Sequence, residues 1–376
     1  MKKICLVTYY GNNYGGCLQA YATQKYLKKM GYEVEILQYE NKFSPSKYKI
    51  LWNKIKNASH IRRYLRQRKI IHSNYANEEI RSKAFENFRK KYLELSDKEY
   101  MYLSDEKSEF DKYDVIIAGS DQIWNPTFYG CCHPVYYLAV VPDDKRKISY
   151  ASSIGLSQIP KRYQADFRKY LQRFDRISVR EKVGVKLVGE IAKREAKWVL
   201  DPTLLLTKDE WLDLSSQIQV TEEYVFCYLF NDFEYVEEIK QWIRKNFGLK
   251  IVSLPFSTRE MESLDEKIYD ASPADFIRLI KNAKFVLTDS FHATAFSINF
   301  NVPFFVLERQ KVSYASNMNS RIYSILEMTA LQEQMINEQN YKTKLCILNL
   351  DFNTANQMLY NKRKEAADFL KEAIEG

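Results

Sequence analysis

Residues 284–307, KFVLTDSFHATAFSINFNVPFFVL, decide how the rest of the chain reads. Phe285-Val286-Leu287 is a short apolar run of strand type, and Thr288-Asp289-Ser290 interrupts it with three residues suited to capping a helix. His292 follows, then the small residues Ala293, Thr294 and Ala295 and an apolar run closed by Asn301-Val302-Pro303. Phe304 to Leu307 reads as a second strand. The stretch predicts a strand–helix–strand unit with the imidazole where a parallel strand ends and a helix begins. Open α/β sheets bind ligands at such junctions, and the helix N-terminus favours anions there.

Downstream, a basic polar loop (Glu308-Arg309-Gln310-Lys311) precedes a helix that starts at Ser320-Arg321-Ile322 and runs through Met328. Upstream, strands Tyr224 to Phe230 and Lys250 to Leu254 flank a helix from about Phe233 to Asn246, stopped by Gly248. Helix and strand patterns alternate throughout, so the class is α/β. With 376 residues, 45% of them hydrophobic, the chain has material for more than one core. The expected division is an N-terminal Rossmann-like domain over 1–205, a C-terminal one over 206–345, and a segment with a helix over 346–376 that packs back on the first domain.

The first domain opens with a βαβ unit. Ile4 to Thr8 is a buried strand, Tyr9 to Gly16 a loop, and a helix with Leu18, Tyr21, Ala22, Tyr26, Leu27 and Met30 on its apolar side ends at Gly31. Glycines in that turn let a ligand approach the backbone, whose N–H groups suit a phosphate or a sugar hydroxyl. The spacing is neither GxGxxG nor a Walker loop, which excludes the dinucleotide and NTPase signatures. A later strand, Tyr113 to Ala118, runs into Gly119-Ser120-Asp121-Gln122-Ile123-Trp124-Asn125-Pro126. A carboxylate, an amide and a hydroxyl directly after a buried strand make Asp121 a candidate general base or sugar ligand. A tight turn without ligand, and a helix cap at Asp121, are the structural alternatives for these two loops.

Composition excludes other classes. No run of about 18 uncharged apolar residues occurs, so no membrane-spanning helix is expected. The start, Met1-Lys2-Lys3 into a short strand, does not read as a secretory signal. Six scattered cysteines without a CxxC pair point to a reduced, cytoplasmic protein with no structural zinc, Cys5, Cys227 and Cys346 lying in apolar settings. Residues 42–91 hold fifteen Lys and Arg against three Glu, a charge of +12 beside +9 for the whole chain. Interleaved Ile, Leu and Tyr make this segment an amphipathic helical insertion with a possible role at an anionic membrane surface. No nucleic-acid module accompanies it.

Taken together, NYGG-x-LQAYA (13–22), GSDQIWNP (119–126), SYASSIG (149–155), ISVRE (177–181), VLDPTLL (199–205) and TDSFHATAFS (288–297) resemble the polysaccharide pyruvyl transferase family. The resemblance covers nearly the whole chain in the same order. It implies two doubly wound Rossmann-like domains facing across a cleft, a glycosyltransferase-B-like fold. It implies transfer of pyruvate from phosphoenolpyruvate to a sugar of a cell-surface polysaccharide, or of its lipid-linked precursor, as a cyclic ketal. No cofactor or metal is implied. His292 matches the family's active-site histidine, and Arg180 the arginine of its S-x-R-[DE] segment. Many members carry an arginine two residues before the histidine; Ser290 stands there in this chain, and Ala293 replaces a glycine.

A donor with a carboxylate and a phosphate needs several cations, and Arg180, Arg309, Lys311 and Arg321 are the set expected to supply them around Ser290. Ketal formation also needs a proton donor and a proton acceptor, for which His292 and Asp121 are the candidates. Gly11, Asn12, Asn13, Tyr14, Gly15, Gln122, Trp124 and Asn125 are the expected acceptor contacts. A nucleotide-sugar glycosyltransferase, and a sugar-binding protein without catalysis, are the rival readings of the same residues.

Overall fold

The computed structural model describes residues 1–39, 75–100, 107–309, 319–345 and 350–376. The expectations for Lys311, Cys346 and most of the basic segment (42–74) lie outside the described residues. In β1 (Lys3–Val7) alternate residues belong to different cores, Ile4 and Leu6 to one and Cys5 and Val7 to another. A strand buried on both faces belongs inside a parallel sheet covered by helices. Next come α1 (Tyr14–Lys29), β2 (Glu33–Ile36), α2 (Tyr75–Tyr92) and β3 (Val115–Ala118). They lead to α3 (Pro126–Tyr129), β4 (Arg146–Ser149), α4 (Lys161–Leu171), β5 (Ser178–Val179), α5 (Lys182–Leu187) and β6 (Lys197–Trp198). The strands β2-β1-β3-β4 form one parallel sheet in that order, and β5 and β6 pair separately.

The second half runs β7 (Tyr224–Tyr228), α6 (Val236–Phe247), β8 (Lys250–Ser253), β9 (Glu266–Lys267), α7 (Pro273–Asn282), β10 (Phe285–Thr288), α8 (Phe291–Phe300), β11 (Phe304–Leu307), α9 (Ser320–Met328) and β12 (Met335–Ile336). Its six strands lie parallel in the order β12-β11-β10-β7-β8-β9. Both sheets therefore reverse direction of growth once, between β1 and β3 and between β7 and β10. Crevices at such switch points are where doubly wound folds bind ligands.

Some elements are shorter than the sequence suggests. Phe230 leaves the β7 ladder because its N–H donates to the Asp289 carboxylate at 2.9 Å. The helix that opens at Lys182 is α-helical only to Leu187; Val188–Ala192 widens to a π-helical turn that Lys193 ends at φ +54°.

The two sheets share a core. One cluster of buried side chains includes Leu6 of β1, Phe226 of β7 and Val286 of β10. Helix α1 sits between the sheets, so it is buried nearly all round from Tyr14 to Gln24, and its polar residues bond to backbone. Gln19 donates to the Tyr9 carbonyl at 2.8 Å, and Gln24 to the Glu94 carbonyl at 2.8 Å. The Tyr14 ring stacks on Phe276 of α7 at 4.7 Å, and its hydroxyl donates to the Ala271 carbonyl at 2.9 Å. From α2, the buried Arg81 lies over Phe256 at 4.3 Å and donates to the Pro255 carbonyl.

A last helix, α10 (Asn353–Glu375), returns to the first sheet. Arg146 of β4 donates to the Ala373 carbonyl at 2.7 Å, and Lys2 to the Ile374 carbonyl at 2.7 Å. From the same helix Arg363 reaches the Leu204 carbonyl and Asn299 of α8.

A seam of this kind makes unfolding of the two halves cooperative. Tyr14→Phe leaves the Ala271 carbonyl without its donor and should cost about 1–3 kcal/mol. Tyr14→Ala, which also removes the ring, should cost about 3–5 kcal/mol. Urea unfolding followed by tryptophan fluorescence and by circular dichroism checks both, with coincident transitions expected in the parent.

Candidate active site

Two helices, α1 and α8, begin at the same place. Asn13 caps α1 by accepting from the Gly16 N–H at 3.0 Å, and Ser290 caps α8 by accepting from the Ala293 N–H at 3.4 Å. Gly15, in the first turn of α1, faces the His292 ring so closely that a Cβ there would stand inside the van der Waals radius of Nδ1. The open side of this contact is a cavity of about 460 Å³. Its first-sheet wall has Tyr9, Asn13, Gly15, Asp121 and Gln122, from the ends of β1 and β3. Its second-sheet wall has Phe230, Asn231, Ser290, His292, Arg309 and Arg321, from the ends of β7, β10 and β11 and from the first turn of α9. The cavity thus joins both switch points.

Beneath it lies a charge network. Arg180, fully buried, donates to Asp201 Oδ2 at 2.8 Å and to Asp121 Oδ1 at 3.3 Å, and lies over the Phe291 ring at 4.5 Å. Ser120 Oγ also donates to Asp201 Oδ2, at 2.9 Å. Burial alone would raise the Asp201 carboxyl, but the Arg180 charge and the neighbouring imidazole pull it down to about 2. Burial opposes the Arg180 charge as well; Asp201 and then Asp121 more than offset it and raise that guanidinium above its ordinary value. Asp121 takes φ +69°, a backbone conformation rare for a side-chain-bearing residue and costing about 1–3 kcal/mol.

His292 Nε2 is 3.4 Å from Arg180 Nη1 and 3.9 Å from Asp201 Oδ2. Burial lowers its pKa to about 4; Asp201 works against that and Arg180 adds to it. The resting imidazole is therefore neutral near pH 7, not the ready proton donor that the sequence suggests. Arg309 Nε donates to the Asp289 carbonyl at 3.0 Å and pairs with the Asp289 carboxylate at 3.3 Å. Arg321 is 5% exposed and makes no ion pair among the described residues. Its Nε lacks a hydrogen bond, and burial with the charges of Arg180 and Arg309 lowers its pKa to about 9.

Eight of the residues picked from sequence line the cavity: Asn13, Gly15, Asp121, Gln122, Ser290, His292, Arg309 and Arg321. Arg180 sits behind His292, with its charge held by two carboxylates. Five others are placed elsewhere. Trp124 is fully buried and its indole N–H donates to the Tyr136 carbonyl, so it is core and not an acceptor contact. Asn125 caps α3, and Tyr14 belongs to the seam between the sheets. Asn12 donates to Ser82 and accepts from Arg89 on α2, and Gly11 packs under the Tyr9 ring, neither lining the cavity. The sequence reading missed Asp201 and Asp289, both buried carboxylates. Their signal was position: each directly follows a strand-like run, in VLDPT and FVLTDS. Among the described residues no group of His, Cys, Asp and Glu would hold a metal ion, and no helix is long and apolar enough to cross a membrane.

The model of the polysaccharide pyruvyl transferase family matches residues 13–311, most of the chain, including Asp121, Arg180 and His292. The chain belongs to that family. A search of curated protein sequences gives no match. Among solved structures, the S. aureus MnaA–UDP complex aligns over 99% of this pyruvyl transferase family member and 96% of its own length, with a TM-score of 0.54 and 13% identity. The UDP-GlcNAc 2-epimerase of Methanocaldococcus jannaschii aligns over 93% of each chain, TM-score 0.54, 12% identity. A putative UDP-N-acetylglucosamine 2-epimerase from Listeria monocytogenes covers 99% of this chain and 89% of its own, TM-score 0.52, 11% identity. At such identities the likeness is one of fold, the glycosyltransferase-B arrangement of two doubly wound sheets.

The contact at Gly15 and the titration of His292 are both testable. Gly15→Ala must push the imidazole aside and should destabilise by about 1–3 kcal/mol. Gly189→Ala, where a Cβ meets nothing closer than the Arg194 carbonyl at 4.0 Å, should stay within about 1 kcal/mol of the parent. For His292, the folded value of about 4 lies below the ordinary imidazole value of about 6.5, so as pH falls the unfolded chain takes the proton first. Stability should be flat above about pH 7 and fall between about 6.5 and 4, with His133, also held to about 4 by burial, adding to that window. His292→Gln should lose about 1–2 kcal/mol less than the parent between pH 7.5 and 5, read by chemical denaturation. Equal losses would mean an unperturbed histidine.

Proposed function

We propose that this family member transfers pyruvate from phosphoenolpyruvate to two hydroxyls of a sugar, releasing phosphate and leaving a cyclic ketal. The observation that carries the reading is Arg321. It is a buried guanidinium at the first turn of a helix, facing the cavity, with no ion pair among the described residues. An anion there relieves the repulsion among Arg321, Arg309 and Arg180, and helix N-termini already favour one. Phosphoenolpyruvate has two anionic groups to offer, and Arg321 and Arg309 are the residues assigned to them. Ser290, at the position of the arginine many members have, caps α8, so the guanidinium comes from α9 and the β11 end instead. Lys311 is the further cation proposed from sequence.

In this scheme His292 protonates the methylene carbon while a sugar hydroxyl oxygen bonds to the adjacent carbon, Asp121 taking the hydroxyl proton. A second hydroxyl then bonds to the same carbon as the bond to the phosphate oxygen breaks, and phosphate leaves with that proton. A neutral resting imidazole has to gain a proton first. Negative charges of the donor within about 4–6 Å favour the imidazolium and move the His292 pKa up toward about 7, so the ring can carry a proton when donor is bound. Its Nε2 faces Arg180 and Asp201, and its Nδ1 lies against Gly15.

Titration calorimetry of the parent with phosphoenolpyruvate, in buffers of different ionisation enthalpy, should show proton uptake on binding. Arg321→Gln should weaken donor binding by about 30- to 1,000-fold. His292→Asn should bind donor nearly normally, take up no proton, and release phosphate about 100-fold more slowly with a pyranoside acceptor. A parent that binds UDP-sugars and not phosphoenolpyruvate would overturn the proposal in favour of a glycosyltransferase.

A further inference from the structure

The two walls of the cavity treat their aromatic rings differently. On the second-sheet wall guanidiniums cover the two phenylalanines, Arg309 lying over Phe230 at 5.2 Å and Arg321 over Phe291 at 5.9 Å, while Tyr228 beside them is 1% exposed. Tyr9, Phe128 and Tyr129 line the opposite wall, and among the described residues no cation lies over any of the three. Phe128 is 53% exposed, a large apolar face turned to the cavity on a backbone that is firmly held. Asn125 starts that turn by accepting from the Thr127 N–H at 3.0 Å, Pro126 fixes its first residue, and Gly130 ends it at φ +71°. Tyr129 is wedged by His133 and Tyr136, with ring centroids at 4.9 and 5.6 Å.

Polar groups border these rings on one side. Asp121 directs Oδ1 to Arg180, while Oδ2 has no hydrogen bond among the described residues. Gln122 accepts weakly from Asn125 at 3.4 Å through Oε1, and its Nε2 has no acceptor among the described residues. An uncovered aromatic face presents negative π density and attracts C–H bonds. A carboxylate acceptor and an amide donor at its edge match the hydroxyls of a ring whose face is apolar.

We infer that Phe128, backed by Tyr9 and Tyr129, is the platform on which a neutral pyranose ring of the acceptor stacks, its hydroxyl edge toward Asp121 and Gln122. The inference rests on the proposed reaction for the term acceptor and deepens it by stating what holds the sugar. A uronate is disfavoured there, because its carboxylate would face Asp121. Phe128 touches the sugar without touching the reacting carbon, so it governs acceptor affinity and leaves donor affinity alone.

The test uses methyl β-D-glucopyranoside, methyl β-D-galactopyranoside and methyl α-D-mannopyranoside, with methyl β-D-glucuronide as the charged control. Binding is read by saturation-transfer NMR and by titration, with the phosphoenolpyruvate dissociation constant measured in parallel. At least one neutral pyranoside should bind the parent, with saturation concentrated on the C–H groups of one ring face. Phe128→Ala should weaken that binding about tenfold, while Phe128→Trp should stay within about threefold of the parent. The phosphoenolpyruvate constant should change by less than about twofold in either variant. Equal pyranoside binding by Phe128→Ala and parent overturns the platform, as do preference for the glucuronide and failure of every neutral pyranoside to bind a parent that binds phosphoenolpyruvate. A parent that binds pyranosides through Phe128 but not phosphoenolpyruvate sinks the proposed reaction and leaves the platform standing.

Discussion

Everything at the cleft depends on the closeness of two helix starts, α1 with Gly15 and α8 with His292. Only hydrogen at position 15 lets the imidazole lie against the first turn of α1, and only that approach brings Arg180 to 3.4 Å from Nε2. The aromatic seam holds the approach in place. Tyr14, one residue before Gly15, stacks on Phe276 and bonds to Ala271, so the residue that anchors the second half is next to the one that admits the histidine. Packed cores resist continuous deformation. The width of the cleft in this structure is therefore set by packing across the seam.

Charge is arranged with the same economy. Two carboxylates, Asp201 and Asp121, share Arg180, and Asp289 holds Arg309, which leaves the cationic excess at Arg321. Taking Asp201 away would leave the buried Arg180 with only the longer contact to Asp121, a change of several kcal/mol in sites like this. Glu181 follows Arg180 yet points the other way, accepting from the Ile154 and Gly155 N–H groups and fixing the loop of the SYASSIG stretch. Neighbours in sequence thus serve opposite sides of β5.

The stretch 284–307 was legible because its information is local: period, caps and strand ends are set by adjacent residues. The strand–helix–strand unit and the place of His292 at its first junction followed from it. Trp124 was misread because GSDQIWNP looks like a polar strand-end cluster, and nothing local says that the indole turns inward to Tyr136. Asp201 escaped notice because its role exists only once the segments that follow β3, β5 and β6 come together around Ser120 and Arg180. Phe128 had no signal at all; an exposed phenylalanine means something only when a cavity is known to open beside it. The neutral state of His292 was equally hidden, since burial is a property of the folded chain.

The last helix has a consequence for how the molecule comes into being. Its residues 373 and 374 bond to Arg146 and Lys2, partners as far as 372 positions back along the chain. Arg363 on the same helix bridges Leu204 and Asn299, one from each half. A ribosome adds roughly 5–20 residues per second, so the edge of the first sheet waits tens of seconds for its cover. During that interval β4 and the Tyr150 ring, which later meets Phe369, face solvent on a nascent chain. Apolar surface left open in this way during translation is what makes a nascent chain prone to aggregate before its last helix arrives.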